Sequence, residues 1–60
     1  MTKEQARKIF GNRYSDLAKA VGVGKSAISQ WPDELDETRK NIVIGAAIRK
    51  GIVVPAELLN

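Results

Sequence analysis

Four polar side chains stand close together in the middle of the chain: Lys25, Ser26, Ser29 and Gln30. An ammonium, two hydroxyls and a carboxamide can exchange hydrogen bonds with base edges and phosphates of nucleic acid. They offer little for catalysis, because the sequence has no histidine or cysteine to act as a base or a thiol nucleophile. The missing histidine and cysteine also remove the usual zinc ligands. We therefore expect a binding protein and no enzyme, with no metal and no cofactor.

The segment Tyr14 to Trp31, YSDLAKAVGVGKSAISQW, has the spacing of two short helices joined by a tight turn. Ala18 is small enough to let two helices cross closely, and Gly22 can adopt the left-handed conformation that ends a helix. The remaining apolar residues fall three or four apart, on one face of each helix, and they are Leu17, Val21, Ile28 and Trp31. This pattern predicts a helix-turn-helix whose four polar side chains point outward. We favour a core position for Trp31 over stacking on a base.

The N-terminal residues indicate a preceding helix. Thr2 and Gln5 have the spacing of a capping box, and Gly11 can stop a helix spanning about residues 3–10. Asn12 or Ser15 is then the candidate cap of the second helix. We expect that helix to end near Val21, with a turn over residues 22–24 and a third helix over residues 25–31, before Pro32.

A longer helix is predicted over about residues 36–50. Asp36 is its candidate N-cap, and Gly51 lies just beyond its C-terminal end. Ile52 to Val54 are β-branched and expected to be extended, with strand or helix left open, and Pro55 can start a last helical turn through Leu59. The prediction is an all-α fold of four to five helices in a single domain, 1–60, with its helix-turn-helix over about residues 14–31 and a short tail over 51–60.

The segment FGNRYSDLAKAVGVGKSAISQW resembles the helix-turn-helix of lambdoid phage Cro repressors, in which the first helix ends in Phe-Gly, as at Phe10 and Gly11. The resemblance continues through the acidic link PDELDE to the apolar helix RKNIVIGAAIRKG, as in the all-helical members of the family, and covers about Thr2 to Gly51. It implies a lambda repressor-like fold and a repressor that occupies double-stranded operator DNA and blocks polymerase. It also implies that the base-reading positions are those of Lys25, Ser26, Ser29 and Gln30.

Charge is unevenly distributed along the chain. The net charge is +4 over residues 1–25, −4 over residues 26–38 and +3 over the rest. A polyanionic partner explains basic segments on both sides of an acidic link, although a total of +3 also suits an ordinary surface.

Candidate contacts to the DNA backbone flank the third helix. They lie at the start of the second and fourth helices and are Asn12, Arg13, Tyr14, Ser15, Lys40 and Asn41. A ring that caps the core is an equal alternative for Tyr14, and Arg39 is expected to pair with nearby acids. Three cations of the first helix are expected to be solvated surface: Lys3, Arg7 and Lys8.

The run IVIGAAI, residues 42–48, is apolar on every side of its helix, whereas a surface helix needs one apolar stripe. We expect a second copy of the chain to cover the excess. The expected inward-facing set is drawn from Ile42, Val43, Ala46 and Ala47, and the expected dimer interface consists of Ile44, Ile48, Ile52 and Val54. The alternative is that the segment IVVPAELL folds back over this face within one chain.

A second function remains open. Small helix-turn-helix domains also serve as antitoxins or adaptors that bind a partner protein, and the apolar fourth helix offers such a surface. The sequence has no apolar run near the ~18 residues of a membrane span and no signal-peptide core. These features predict a soluble, intracellular protein. The Cro resemblance implies that it acts on DNA in the cytoplasm of a bacterial host cell.

Overall fold

A computed structural model describes residues 1–59, and within them the chain forms an all-α domain. The last residue of the predicted tail, Asn60, lies outside the described residues. The five helices are α1 (Lys3–Ile9), α2 (Tyr14–Val21), α3 (Lys25–Ser29), α4 (Glu37–Arg49) and α5 (Ala56–Leu59). The predicted all-α fold is confirmed.

The core lies where the first four helices and the link before α4 converge. Its buried apolar residues are Ala6, Phe10, Leu17, Ala18, Ile28, Leu35, Val43, Ala46 and Ala47. Many of these side chains are no larger than valine, which lets short helices pack at close range. Val21 and Trp31 pack partly buried against this cluster, as the helix-turn-helix spacing predicts.

Two of the helices, α2 and α4, end at or next to a glycine. Gly22 has a φ of +80° at the end of α2, and the Val23 N–H donates to the Ala18 carbonyl at 3.0 Å. Gly51 has a φ of +73° after α4, and the Ile52 N–H donates to the Ala47 carbonyl at 2.9 Å. Both ends are stabilised by the six-to-one hydrogen bond of the Schellman motif, which needs a residue that tolerates positive φ.

Two predicted N-caps are confirmed and one is wrong. Thr2 and Gln5 form the complete capping box of α1, and the Asp36 carboxylate accepts from the Arg39 N–H at 2.9 Å. The N-cap of α2 is Arg13, whose side chain makes no capping hydrogen bond. Asn12 cannot serve, because its φ of +73° belongs to the turn after α1, where its N–H donates to the Arg7 carbonyl. Ser15 lies already inside α2.

α3 is shorter than predicted. It ends at Ser29, with Gln30 as its C-cap, so the expected extension to Trp31 is wrong. The Trp31 N–H donates to the Ile28 carbonyl at 3.0 Å, a tightened last turn, and Pro32 follows. A residue that precedes proline is driven away from the α conformation, which explains the early end.

The N-terminal segment pairs with the link that follows α3. The Lys3 N–H donates to the Asp33 carbonyl at 2.8 Å, and the Leu35 N–H donates to the Met1 carbonyl at 2.9 Å. Between them, Thr2 and Glu34 form an isolated antiparallel bridge. The pairing fixes α1 relative to the end of α3.

The tail returns to the core before its last turn. Ile52 and Val54 lie partly buried against the core cluster, and α5 begins directly after Pro55, as predicted. Residues 52–55 form neither helix nor strand. No helix among residues 1–59 combines the length and the apolar character needed to cross a membrane.

Candidate nucleic-acid interface

α3 presents its polar side chains away from the core. All four predicted base-contact residues are exposed: Lys25, Ser26, Ser29 and Gln30. On the opposite side of the helix, Ile28 is only 1% exposed and anchors α3 in the core. The Ser29 hydroxyl donates to the Ser26 carbonyl at 2.7 Å, so it must rotate to donate elsewhere. The arrangement provides a short helix, fixed from below, with hydrogen-bonding groups on its solvent side.

Trp31 supports α3 from its C-terminal side. The ring is half-buried against the core cluster, and the Arg39 guanidinium lies 5.8 Å from its centroid. Arg39 also places Nη1 2.9 Å from the Asp36 carboxylate, which confirms the predicted pairing with a nearby acid. Trp31 is therefore part of the packing, but less enclosed than Leu17 or Ile28.

The start of α2 lies beside α3 and has the exposure that a phosphate contact needs. Asn12, Arg13 and Tyr14 are exposed, and Ser15 is half-buried. Because no side chain caps α2, the N–H groups of its first turn have no capping acceptor from the chain's own N-cap residue. A phosphate is a suitable acceptor at such a helix start.

Tyr14 lies under two cations of α1, Lys3 and Arg7. The expectation that these two are solvated surface is wrong, because both are half-buried, and it holds only for the exposed Lys8. The Arg7 guanidinium carbon is 5.1 Å from the ring centroid, and the Lys3 ammonium is 5.8 Å from it. Arg7 also reaches the Asn12 carbonyl through Nη1 at 3.3 Å. These contacts depend on how α1 folds against α2, and local spacing carries no signal for them.

The two predicted backbone contacts of α4 differ in exposure. Asn41 is exposed, but Lys40 is only 9% exposed, so its aliphatic stem is covered by protein. A phosphate contact by Lys40 thus has little surface available, although the stem of a lysine can be buried while its charged end meets water. The pattern of neighbouring residues does not indicate that these two side chains differ in exposure.

Two cavities meet at Lys3 and Tyr14, which line both of them. One has a volume of about 190 Å³ and is lined also by Lys25 and Ser29. The other, of about 400 Å³, is lined by Thr2, Glu4, Asp33 and Glu34 together with the shared pair. The first cavity has basic and hydroxyl groups, and the second has three carboxylates.

The predicted dimer surface is only partly available. Ile48 is 70% exposed and Ile44 is half-buried, whereas Ile52 and Val54 are partly covered by the chain's own core. Among the expected inward-facing residues, Val43, Ala46 and Ala47 are buried, and Ile42 is exposed. The tail lies beside α1, where Ile52, Val53 and Leu58 line a cavity with Gln5, Lys8 and Ile9, and Ile48 and Val53 stay 70% and 90% exposed.

Residues 1–59 contain no cluster of His, Cys, Asp or Glu side chains arranged to hold a metal ion. Comparison with known proteins gave no match to a protein-family model, to a curated protein or to a solved structure.

Proposed function

We propose that the chain is a sequence-specific double-stranded DNA-binding repressor of the phage Cro type, which reads the major groove with α3. The exposed polar face of α3, set on the buried Ile28, is the observation that carries the proposal. The resemblance in the sequence to lambdoid Cro repressors supports it. The proposed site of action is the cytoplasm of a bacterial host cell.

The polar groups of α3 have defined partners among the bases. Lys25 can donate to guanine O6 and N7, Gln30 can pair with adenine through two hydrogen bonds, and the serines can donate or accept. The exposed Arg13 and the uncapped start of α2 supply phosphate contacts that fix the orientation of α3.

Repression by occupancy calls for a dimer on a two-fold symmetric operator. The exposed Ile48, with Ile44 beside it on the same helix, is the proposed centre of the interface between two copies of the chain. Two α3 helices related by this axis would read half-sites about one helical turn, ~34 Å, apart. A dimer bound there would block polymerase at an overlapping promoter.

The test is a salt-dependent binding titration on a pool of random duplexes, followed by selection and sequencing of the retained DNA. We expect a two-fold symmetric site and an affinity that falls steeply as salt rises. The variant with Lys25, Ser26, Ser29 and Gln30 all replaced by alanine should lose the selected site. Lys8→Ala, which removes one exposed charge from α1, is the control and should keep it.

An adaptor or antitoxin that binds a partner protein is the second candidate, and the exposed Ile48 and Val53 favour it. An adaptor would keep its cellular activity in the fourfold alanine variant and lose it when Ile48 is made polar. Weak binding to the duplex pool without a selected sequence would support this candidate and contradict the repressor.

A further inference from the structure

The smaller of the two cavities is built by side chains from three helices. Lys3 comes from α1, Tyr14 from the first position of α2, and Lys25 and Ser29 from α3. We call this cavity, of about 190 Å³, the basic slot. The residues that line it carry two ammonium ions and two hydroxyls, groups that can donate hydrogen bonds to an oxyanion.

Lys3 is held in place before any ligand arrives. Its Nζ donates to the Trp31 carbonyl at 3.1 Å, in a partly buried contact that joins α1 to the end of α3. The same ammonium lies 5.8 Å from the centre of the Tyr14 ring. An ammonium has three N–H donors, so further donors remain for a ligand in the slot. Because this long side chain is already ordered, binding costs less side-chain entropy than it would for a free lysine.

The neighbouring, larger cavity is acidic and therefore unfavourable for an anion. It shares Lys3 and Tyr14 with the basic slot, but its other charged residues are Glu4, Asp33 and Glu34. Three carboxylates repel a phosphate, whereas Lys3 and Lys25 attract it. The wall formed by Lys3 and Tyr14 therefore separates a surface suited to a phosphate from one that excludes it.

We propose that the basic slot binds one phosphate group of the DNA backbone, with Lys3 of α1 as a ligand alongside Lys25 and Ser29. This proposal rests on the proposed function, which supplies DNA as the source of the phosphate. It also changes which residues contact the bases and which contact the backbone. Lys25 and Ser29, two of the four candidate base-reading residues, are thereby reassigned to the backbone beside Lys3, and Ser26 and Gln30 remain as the base-reading residues. Ser29 joins by turning its hydroxyl from the Ser26 carbonyl to the phosphate.

The first test compares Lys3→Met with Lys8→Met in a salt titration on one mixed-sequence duplex. Both variants remove one charge from α1, but the Lys8 ammonium lies 3.8 Å from Glu4 and the residue lines a different cavity, beside the tail. Loss of one phosphate contact should flatten the slope of log K against log salt by about 0.9. We expect this change for Lys3→Met, recovery in Lys3→Arg, and the wild-type slope for Lys8→Met.

A double variant tests whether Lys3 and Lys25 share one phosphate. If they do, a phosphate that needs both lysines is lost when either is removed, so Lys3→Met, Lys25→Met and the double variant should each flatten the slope by the same amount, about 0.9. Two separate contacts would give about twice that change in the double variant and would overturn the single slot. Circular dichroism on each variant checks folding. Should Lys3→Met unfold, Lys3→Gln, whose carboxamide can still donate a hydrogen bond to the Trp31 carbonyl, takes its place in both comparisons.

Inorganic phosphate separates a failure of the slot from a failure of the proposed function. If the wild-type chain binds DNA and Lys3→Met has the slope of Lys8→Met, the slot is wrong and DNA binding stands. If the wild-type chain binds no DNA, the proposed function is wrong, and the slot is judged by titrating phosphate into labelled protein by NMR. Shifts at Lys3, Tyr14, Lys25 and Ser29 that disappear in Lys3→Met support it, and their absence overturns it.

Discussion

α2 and α3 differ from α4 and the tail in what they leave on the surface. The first pair buries Leu17, Ala18 and Ile28 and exposes hydroxyl, amide and ammonium groups. The second pair buries Val43, Ala46 and Ala47 on one side of α4, yet leaves Ile48 and Val53 largely in water.

The contrast sets different requirements for the two proposed partners. Polar side chains over a closed core already make hydrogen bonds to water, so their exposure has no free-energy cost. They stabilise a complex only when the ligand offers matching hydrogen bonds. Exposed isoleucine and valine gain energy from any apolar surface that covers them, at roughly 25 cal/mol per Å². α2 and α3 thus offer hydrogen-bonding groups, which the proposed DNA partner would use, and α4 and the tail offer apolar surface, which the proposed second copy of the chain would cover.

The largest expected effect comes from Leu17→Ala. It tests whether the polar half, α2 and α3, and the apolar half, α4 and the tail, depend on one core. Leu17 is fully buried, and leucine-to-alanine changes in cores cost about 2–5 kcal/mol. A domain of this size is only marginally stable, so we expect the variant to lose its cooperative thermal transition, and with it both DNA binding and dimerisation. Leu59→Ala makes the same chemical change at a half-exposed leucine of α5 and should leave the transition nearly unchanged. A folded Leu17→Ala variant that lost only DNA binding would mean that the halves are independent.

The next effect concerns the apolar half alone. Ile48→Lys places a charge at the proposed centre of the dimer, and we expect the dissociation constant of the dimer to rise by a factor of ten or more, about 1.4 kcal/mol. Because Ile48 is 70% exposed, the fold of each copy should be unaffected. Sedimentation equilibrium without DNA measures the change.

Asn41→Lys supplies the matched control for that experiment, because it adds the same charge to an exposed position of α4. It should sediment as the wild-type chain does. A wild-type chain that stays monomeric at high concentration would contradict the dimer, and an unchanged dimer in Ile48→Lys would move its interface elsewhere.

The smallest effects come from two glycines of the apolar half that should respond with opposite sign. Gly51 has a φ of +73°, so Gly51→Ala should destabilise the fold by about 1 kcal/mol through the backbone alone, since no atom lies within 4 Å of the added Cβ. Gly45 lies inside α4, and its added Cβ meets only Arg49 Nη1 at an ordinary 3.9 Å. Gly45→Ala should therefore stabilise the fold by about 0.5–1 kcal/mol. Urea denaturation measures the change in the free energy of unfolding for each variant. Changes in the same direction would contradict the end of α4 at Lys50.

Features fixed by neighbouring residues were predictable from the sequence. The capping box of Thr2 and Gln5, the cap at Asp36 and the glycine ends of α2 and α4 each depend on a few adjacent residues. The extent of α3 was overestimated because the effect of Pro32 reaches back along the chain. The prediction of Asn12 as a cap is wrong because asparagine favours both N-caps and left-handed turns, and adjacent residues do not decide between the two.

The candidate site was only half predictable for the same reason. Exposure of Lys25, Ser26, Ser29 and Gln30 follows from helical spacing around Ile28. The position of Lys3 does not, because its contact with the Trp31 carbonyl spans 28 residues. Burial of Lys40 likewise depends on how α4 packs in three dimensions, and neighbouring residues carry no sign of it.

The pairing of the first three residues with residues 33–35 has a consequence for hydrogen exchange. The amides of Lys3 and Leu35 are held by carbonyls from the far side of a loop that encloses α1, α2 and α3. Opening of residues 1–3 away from the link releases both amides together, whereas amides after Gly51 exchange once the tail lifts away. Equal exchange rates at these two amides would show that residues 1–3 open as one unit, and their protection reports whether α1 is held against the link after α3.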